Sequence, residues 1–242
     1  MFLPLLKIEN VSKCFDGIQA IQNLSFSANE NEIIGLIGPN GAGKTTLFQL
    51  ISGFEKINQG IICFRDQPIH LLKAPEIALK GIARTFQLAK PFSNLTVIEN
   101  VIIGGLSQGK PYASARLLAL EILEQLELSA KGSFLADHLT LPDKKRLELA
   151  RALSMSPKLL LLDEIMAGMR PQEIDSLINI IKHLQQKFRL TIIMIEHNMR
   201  GVMKCCQRII VLHQGQKLAE DTPERIQKHP EVIKTYLGSG LC

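Results

Sequence analysis

Eight residues, Gly38-Pro39-Asn40-Gly41-Ala42-Gly43-Lys44-Thr45, constrain this chain more than any other stretch. The apolar run Ile33-Ile34-Gly35-Leu36-Ile37 precedes them and Thr46-Leu47-Phe48-Gln49-Leu50-Ile51 follows. The order is therefore buried strand, glycine-rich turn, and helix opening at Lys44. In that context the pattern Gly-x4-Gly-Lys-Ser/Thr marks a phosphate-binding loop. Gly41 and Gly43 let backbone N–H groups curl inward around a phosphate, and the new helix adds its unsatisfied N-terminal donors and its dipole. Lys44 is placed to reach β and γ phosphates, and the Thr45 hydroxyl to ligate Mg²⁺. The plain alternative is a glycine-rich turn with the same letters and no ligand; the flanking strand and helix argue against it.

The rest of the chain supplies an α/β frame. Its 242 residues are enough for one large core or for one domain with a grafted subdomain, and 46% hydrophobic with 21% charged residues is a globular balance. Upstream, Leu5 to Val11, Ile18 to Ile21 and Leu24 to Ser27 predict three strands, turning at Asp16-Gly17, that form an antiparallel layer. Gly60 to Phe64 predicts another strand, Pro75 to Lys80 a short helix, and Ile82 to Phe86 a strand with Gln87 at its end. From Thr96 the pattern turns helical: Thr96-Val97-Ile98-Glu99 can form a capping box, and Ala115 to Leu126 repeats apolar residues at helical spacing. Gly104 to Tyr112, with its glycines and one proline, reads as a flexible loop. Further strands follow at Leu159 to Asp163, Thr191 to Ile195, Arg208 to Leu212 and Lys217 to Glu220, with helices from Pro171 to Phe188 and Met199 to Cys206 between them. Four consecutive leucines from Leu159 suit a parallel strand covered on both faces.

Composition narrows the function classes. Tryptophan is absent and tyrosine occurs twice, so an aromatic surface for stacking nucleic-acid bases has little raw material, and no nucleic-acid partner is expected. A net charge of +5 suits polyphosphate or the neighbourhood of an anionic membrane. The five cysteines, Cys14, Cys63, Cys205, Cys206 and Cys242, lack zinc-ligand spacing and read as free thiols of a reducing compartment. No secretory leader is evident at Met1, and no uncharged apolar run approaches the roughly 18 residues of a membrane span. Any membrane role is expected to come through a partner.

Polar residues at strand ends carry the chemistry. In open α/β sheets, ligands bind beyond the carboxyl ends of the strands. Asp163 is therefore expected beside a Thr45-bound Mg²⁺, and Glu164 is placed to polarise a water for in-line attack on a γ phosphate. Gln87 can complete contacts to Mg²⁺ or water, and His197 can hydrogen-bond a γ phosphate, with Glu196 and Asn198 as competitors for that role.

The combination of GPNGAGKTT, Phe86-Gln87, LLLLDE and Ile195-Glu196-His197 resembles the nucleotide-binding subunit of ABC transporters. Leu36 to Phe54, Ala83 to Gln87, Asp163 to Gly168, Ile195 to Met199 and the tail Pro230 to Gly238 look like the branched-chain amino acid uptake type. The resemblance implies a P-loop NTPase core with an antiparallel β layer, in one nucleotide-binding domain over 1–242. A helical subdomain would be inserted at about 90–153, and a helical tail would cover about 222–242. It places Phe15 against the adenine ring, and Gly38, Pro39, Asn40, Gly41, Ala42, Gly43, Lys44, Thr45 and Thr46 around the triphosphate. Gln87 falls at Mg²⁺ and the coupling lid, Asp163 on the metal, Glu164 as catalytic carboxylate and His197 as γ-phosphate switch. Ala167-Gly168-Met169-Arg170 would cross a dimer interface. Integral membrane permease subunits, a second ABC ATPase and, indirectly, a periplasmic solute-binding protein are the implied partners, at the cytoplasmic face of the inner membrane. Their surface of contact is expected near Gln87.

The sequence departs from the family at its signature. Where a serine, glycines and glutamine are usual at a helix start, this chain has Leu139-Thr140-Leu141-Pro142-Asp143-Lys144-Lys145-Arg146. Pro142 offers no backbone N–H. Asp143 is expected to cap its own helix and repel a phosphate, while Lys144, Lys145 and Arg146 partly restore positive potential. A partner's ATP would then meet a weakened face, which favours a heterodimer with unequal sites. Ile165, standing where proline usually follows the catalytic glutamate, is expected to loosen that turn slightly. The alternatives are a lipopolysaccharide-export ATPase, a non-transport regulatory ABC protein, and a nucleotide-gated subunit that scarcely turns ATP over.

Overall fold

The computed structural model describes residues 3–86 and 91–237. Its centre is set by three strands in which every residue is buried: β3 (Ile33–Ile37), β7 (Leu159–Asp163) and β8 (Thr191–Ile195). With β6 (Ile82–Arg84), β9 (Arg208–His213) and β10 (Gln216–Asp221) they form a sheet of order β10-β9-β3-β8-β7-β6, parallel except for β10 against β9. Alternate residues serve two different cores, so no position on these strands is free for a polar side chain until the strand ends. Ile34, Leu36, Leu161 and Ile193 face one apolar cluster, which includes Leu47 and Phe48 of α1 (Lys44–Ile51). Ile33, Leu160, Leu162 and Ile192 face the other, which includes Leu177 and Ile181 of α6 (Pro171–Phe188).

A second, antiparallel sheet of order β2-β1-β4-β5 lies on the α1 side: β1 (Leu6–Phe15), β2 (Ile18–Ala28), β4 (Gln59–Phe64) and β5 (Gln67–Pro68). The two short strands read from Ile18 to Ser27 are one continuous strand. Asn23 adopts a left-handed φ of 46° and the ladder shifts register between Val11 and Lys13, which absorbs the polar interruption at Gln22-Asn23. The helix α2 (Ala74–Leu79) then leads into β6.

Between β6 and β7 stand α3 (Val97–Ser107), α4 (Tyr112–Gln125) and α5 (Leu141–Ser154). The Thr96 capping box forms, with Glu99 accepting from the Thr96 N–H at 2.7 Å. The expected loop from Gly104 is largely absent, because Gly104 and Gly105 belong to α3. The reason is close packing: a Cβ on Gly104 would sit 2.0 Å from Ser154 Oγ, so a larger residue would push α3 off α5. Asn100, fully buried, fastens the approach to α3: its Oδ1 accepts from Phe92 N–H at 2.8 Å and its Nδ2 donates to the carbonyls of Phe92 and Thr96, each at 3.0 Å. After β8 come α7 (Met199–Cys205), α8 (Pro223–Ile226) and α9 (Pro230–Val232), the last continuing as a π-helical turn through Ile233–Leu237.

Replacing Asn100 removes a fully buried side chain and all of its bonds to the main chain of Phe92 and Thr96, whereas replacing Thr96 removes one exposed cap. Asn100→Ala is expected to cost roughly 3 kcal/mol and Thr96→Ala roughly 1 kcal/mol in urea unfolding of the full chain; equal losses would show that Asn100 does not hold the segment.

Candidate functional site

The loop before α1 is pressed between the two sheets. A Cβ on Gly38 would lie 2.1 Å from the Leu212 carbonyl oxygen, and one on Gly43 2.5 Å from that of Ala20, so β9 and β2 close on the loop's back. Gly43, at φ 100°, is the N-cap of α1 and offers no side-chain acceptor, and the first turn carries no acidic residue. The first-turn N–H groups and the helix dipole therefore meet no anion of their own side chains, the condition for holding one from outside. Lys44 is buried and its Nζ donates to the Gly38 and Pro39 carbonyls at 2.7 and 2.9 Å. Burial lowers its pKa, opposed by the nearby charges of Glu164 and Asp163. Ala42 is buried, Thr46 half-buried, and Asn40, Gly41 and Thr45 are exposed. Phe15, half-buried at the end of β1, carries the Lys13 ammonium 4.4 Å from its ring centroid, and Ala20 on the same hairpin abuts Gly43.

Beyond the carboxyl ends of β7 and β8 the acidic residues gather as the parallel sheet demands. Thr45 and Asp163 line one cavity of about 660 Å³, shared with Arg84, Glu148 and Arg151. Asp163 is 3% exposed and accepts from the Arg84 guanidinium at 2.8 Å. Arg84 also stacks over Phe48 and Phe86, at 5.6 and 5.2 Å. Glu164 stands at φ 50°, and its Oε1 is 3.2 Å from His197 Nε2. The contact of His197 in this structure is thus with Glu164, and 42% of its side chain remains exposed. Its two sequence competitors have other work. Asn198 caps α7, accepting from the Gly201 N–H at 2.8 Å, and Glu196 is turned inward, accepting from the Met166 N–H at 2.8 Å. Gln87 lies outside the described residues.

The start of α5 corrects two expectations. Asp143 does not project as a repelling charge: it is 6% exposed, accepts from Lys131 Nζ at 2.5 Å and from the Thr140 hydroxyl at 2.7 Å. Burial raises its pKa, but the Lys131 ammonium and the Thr140 hydroxyl outweigh it and hold the carboxyl below its ordinary range. Nor do the following cations restore an outward field. Lys145 is buried, its Nζ donating to the Glu164 carbonyl at 3.3 Å; Arg146 pairs with Glu127 at 2.9 Å; Lys144 lies 3.7 Å from Asp137. Some of these partners are local, Thr140 and Asp137, but Lys131, Glu127 and the Glu164 carbonyl lie outside the helix and are not signalled by its own sequence. Arg84 was likewise missed as a partner of Asp163; the available signal was a cation ending a short apolar strand beside the leucine run.

Burial, chiefly, pushes Glu196 up to about 7, reinforced by the Glu164 charge and opposed by the Met166 N–H and Lys145. The folded chain thus keeps a proton that the unfolded chain releases near the ordinary value of 4.5, so this residue withdraws stability as pH rises from there to about 7. Relative to the parent, Glu196→Gln is expected to gain on the order of 3 kcal/mol between pH 5 and pH 8 in urea unfolding; parallel pH profiles would contradict the shift.

Comparison with known proteins identifies the family and the fold. A family model described as ABC transporter matches residues 21–167, and one described as branched-chain amino acid ATP-binding cassette transporter matches residues 216–241. The chain is 38% identical to the high-affinity branched-chain amino acid transport ATP-binding protein LivG of Escherichia coli K12, over 98% of this chain and 99% of that protein. It is 34% identical to BraF of Pseudomonas aeruginosa, which bears the same description, at the same coverage. It is also 33% identical, over 98% of each chain, to the lipopolysaccharide export system ATP-binding protein LptB of Haemophilus influenzae. Among solved structures, the ADP conformation of an ATP-binding cassette of an ABC transporter superposes with a TM-score of 0.88 at 30% identity, covering 98% of this chain and 100% of that one. A family match over more than half of the chain, full-length relatives and a shared fold together establish that the chain belongs to the ABC transporters, as an ATP-binding, ATP-hydrolysing subunit.

Proposed function

We propose that this chain is the motor of an ABC importer for branched-chain amino acids, bound to integral membrane permeases at the cytoplasmic face of the inner membrane. The observation that carries the motor reading is the convergence of Lys44, Asp163, Glu164 and His197 at one strand edge, beside a helix N-terminus with no anion of its own. The match over residues 216–241 and the LivG and BraF relatives support the solute class over lipopolysaccharide export. Among the described residues no helix is long and apolar enough to cross a membrane, so the channel belongs to partner chains. We read residues 1–242 as one nucleotide-binding unit, with α3 to α5 as its inserted subdomain and the segment from about 222 as its tail.

In this reading the loop Gly38 to Thr46 cradles the triphosphate, and Lys44 leaves the Gly38 and Pro39 carbonyls for the β and γ phosphates. Phe15 lies against adenine. The Thr45 hydroxyl and the Asp163 carboxylate on one cavity wall fit Mg²⁺, which takes few protein ligands and shares phosphate oxygens; no group of three or more His, Cys, Asp or Glu suited to a metal occurs among the described residues. When bound, Mg²⁺ neutralises developing phosphate charge. Gln87 belongs to this shell and to the coupling lid. Glu164 accepts the proton of the attacking water, and His197, held at Glu164, orients it and meets the γ phosphate.

A second ATPase subunit completes each site through the N-terminal turn of its α5. Since Asp143 is neutralised by Lys131, the case for unequal sites rests on Pro142, which removes a backbone donor from that turn. A heterodimer with an intact partner signature is therefore the working assembly, with a periplasmic solute-binding protein delivering solute to the permeases.

Glu164→Gln is expected to lower ATP hydrolysis by roughly 100-fold or more while ATP still binds, whereas Lys44→Ala loses binding as well; retained hydrolysis in Glu164→Gln would remove it from the reaction. Pro142→Gly is expected to raise hydrolysis of the homodimer toward that of the heterodimer, and no change would end the case for unequal sites. In proteoliposomes holding the permeases, leucine with its binding protein should stimulate hydrolysis; stimulation by lipopolysaccharide instead would overturn the solute class.

A further inference from the structure

We propose that Lys145 and Glu196 are positioning residues that clamp the turn carrying Glu164, with one bond on each side of Ile165. The inference rests on the reading of Glu164 as the hydrolytic carboxylate.

Glu164 occupies a left-handed conformation, φ 50°, which is unfavourable for a residue with a side chain and persists only where its surroundings impose it. Main-chain hydrogen bonds hold part of the turn. The Glu164 N–H donates to the Ile195 carbonyl at 2.9 Å, and the Ala167 N–H to the Glu164 carbonyl at 3.2 Å. Ile165 between them has no ring to fix its φ.

Two buried polar side chains, from different elements, add restraints on its backbone. Lys145 of α5 is 3% exposed and donates to the Glu164 carbonyl at 3.3 Å. Glu196, at the end of β8, is 2% exposed and accepts from the Met166 N–H at 2.8 Å. The last main-chain acceptor before Ile165 and the first donor after it are thus tied to two rigid elements. Burial is costly for the Glu196 carboxylate, and the Lys145 ammonium lies close enough to offset part of that cost. The arrangement also ties the turn to the inserted helices, because α5 supplies the lysine. His197 follows Glu196 directly and reaches Glu164 Oε1, so the same strand end holds both the backbone and the side chain of Glu164.

The test uses the full chain. Glu196→Ala and Lys145→Met are each expected to lower kcat for ATP hydrolysis by about 10-fold or more with KM for ATP nearly unchanged. Glu196→Gln, whose amide oxygen still accepts from Met166, and Lys145→Arg are expected to keep most of the rate. In a Glu164→Gln background neither Glu196→Ala nor Lys145→Met should lower the residual rate further, since both act through Glu164. Independently of hydrolysis, the Met166 amide should exchange with solvent at least about 10-fold faster in Glu196→Ala than in Glu196→Gln. Unchanged kcat in both Glu196→Ala and Lys145→Met, equal losses in Glu196→Ala and Glu196→Gln, or further loss in the Glu164→Gln background would overturn the clamp. If Glu196→Ala does not fold, the Lys145 pair decides by the same kcat criterion. If Glu164→Gln alone keeps the parent rate, the hydrolytic reading of Glu164 fails, and Met166 exchange still decides whether the turn is clamped.

Discussion

Complete burial of β3, β7 and β8 on both faces is the constraint on which the rest of the molecule depends. A strand sealed by apolar residues on each side has no place for a polar side chain along its length, so polar groups collect where the strands stop. Because the strands are parallel, they stop on the same edge. The phosphate-binding loop leaves β3 there, Asp163 and Glu164 end β7, and Glu196 and His197 follow β8. The site is thus a consequence of how the core is covered, and the chemistry is laid on a frame that cannot shift by one residue without exchanging the side chains packed into one apolar cluster for those packed into the other.

That constraint also explains what could be read before any coordinates. An unbroken apolar run followed by glycines and a lysine, or by an acidic pair, has few structural interpretations, and Leu159 to Glu164 and Ile33 to Thr45 behave as their residues require. The strand from Thr191 to Ile195 and the helix from Pro171 to Phe188 fall where burial and capping signals place them. What escaped the sequence is of another kind. Gly104 and Gly105 look like loop residues by composition, yet they are helical because α3 must approach α4 and α5 closely. Asp143 looks like an exposed charge, yet Lys131 neutralises it. Arg84 and Lys145 look like ordinary surface cations, yet both are drawn inward to the end of β7. In each case the deciding partner lies on another element, and nothing local in the sequence names it.

Electrostatics at the edge follow from the same geometry. Lys44 is held on the carbonyls of its own loop with two carboxylates near it, Asp163 is held by Arg84, and Glu164 touches His197. Every charge that the reaction needs is engaged with another protein group. Such a site is poised: an incoming triphosphate takes Lys44 from the carbonyls to a stronger acceptor. The inserted helices take part through α5, which sends Lys145 to the Glu164 turn and presents its own N-terminal turn outward.

The central claim is that the loop from Gly38 to Thr46 and the ends of β7 and β8 form one ATP site. It is tested most directly by a crystal structure of the full chain with ATP and Mg²⁺. The expected result is a triphosphate over the loop, with Lys44 Nζ moved from the Gly38 and Pro39 carbonyls to phosphate oxygens, Thr45 and Asp163 at the metal, and Glu164 facing the γ phosphate. A nucleotide bound elsewhere, or bound on the loop with Lys44 still on its carbonyls and Glu164 turned away, would contradict it.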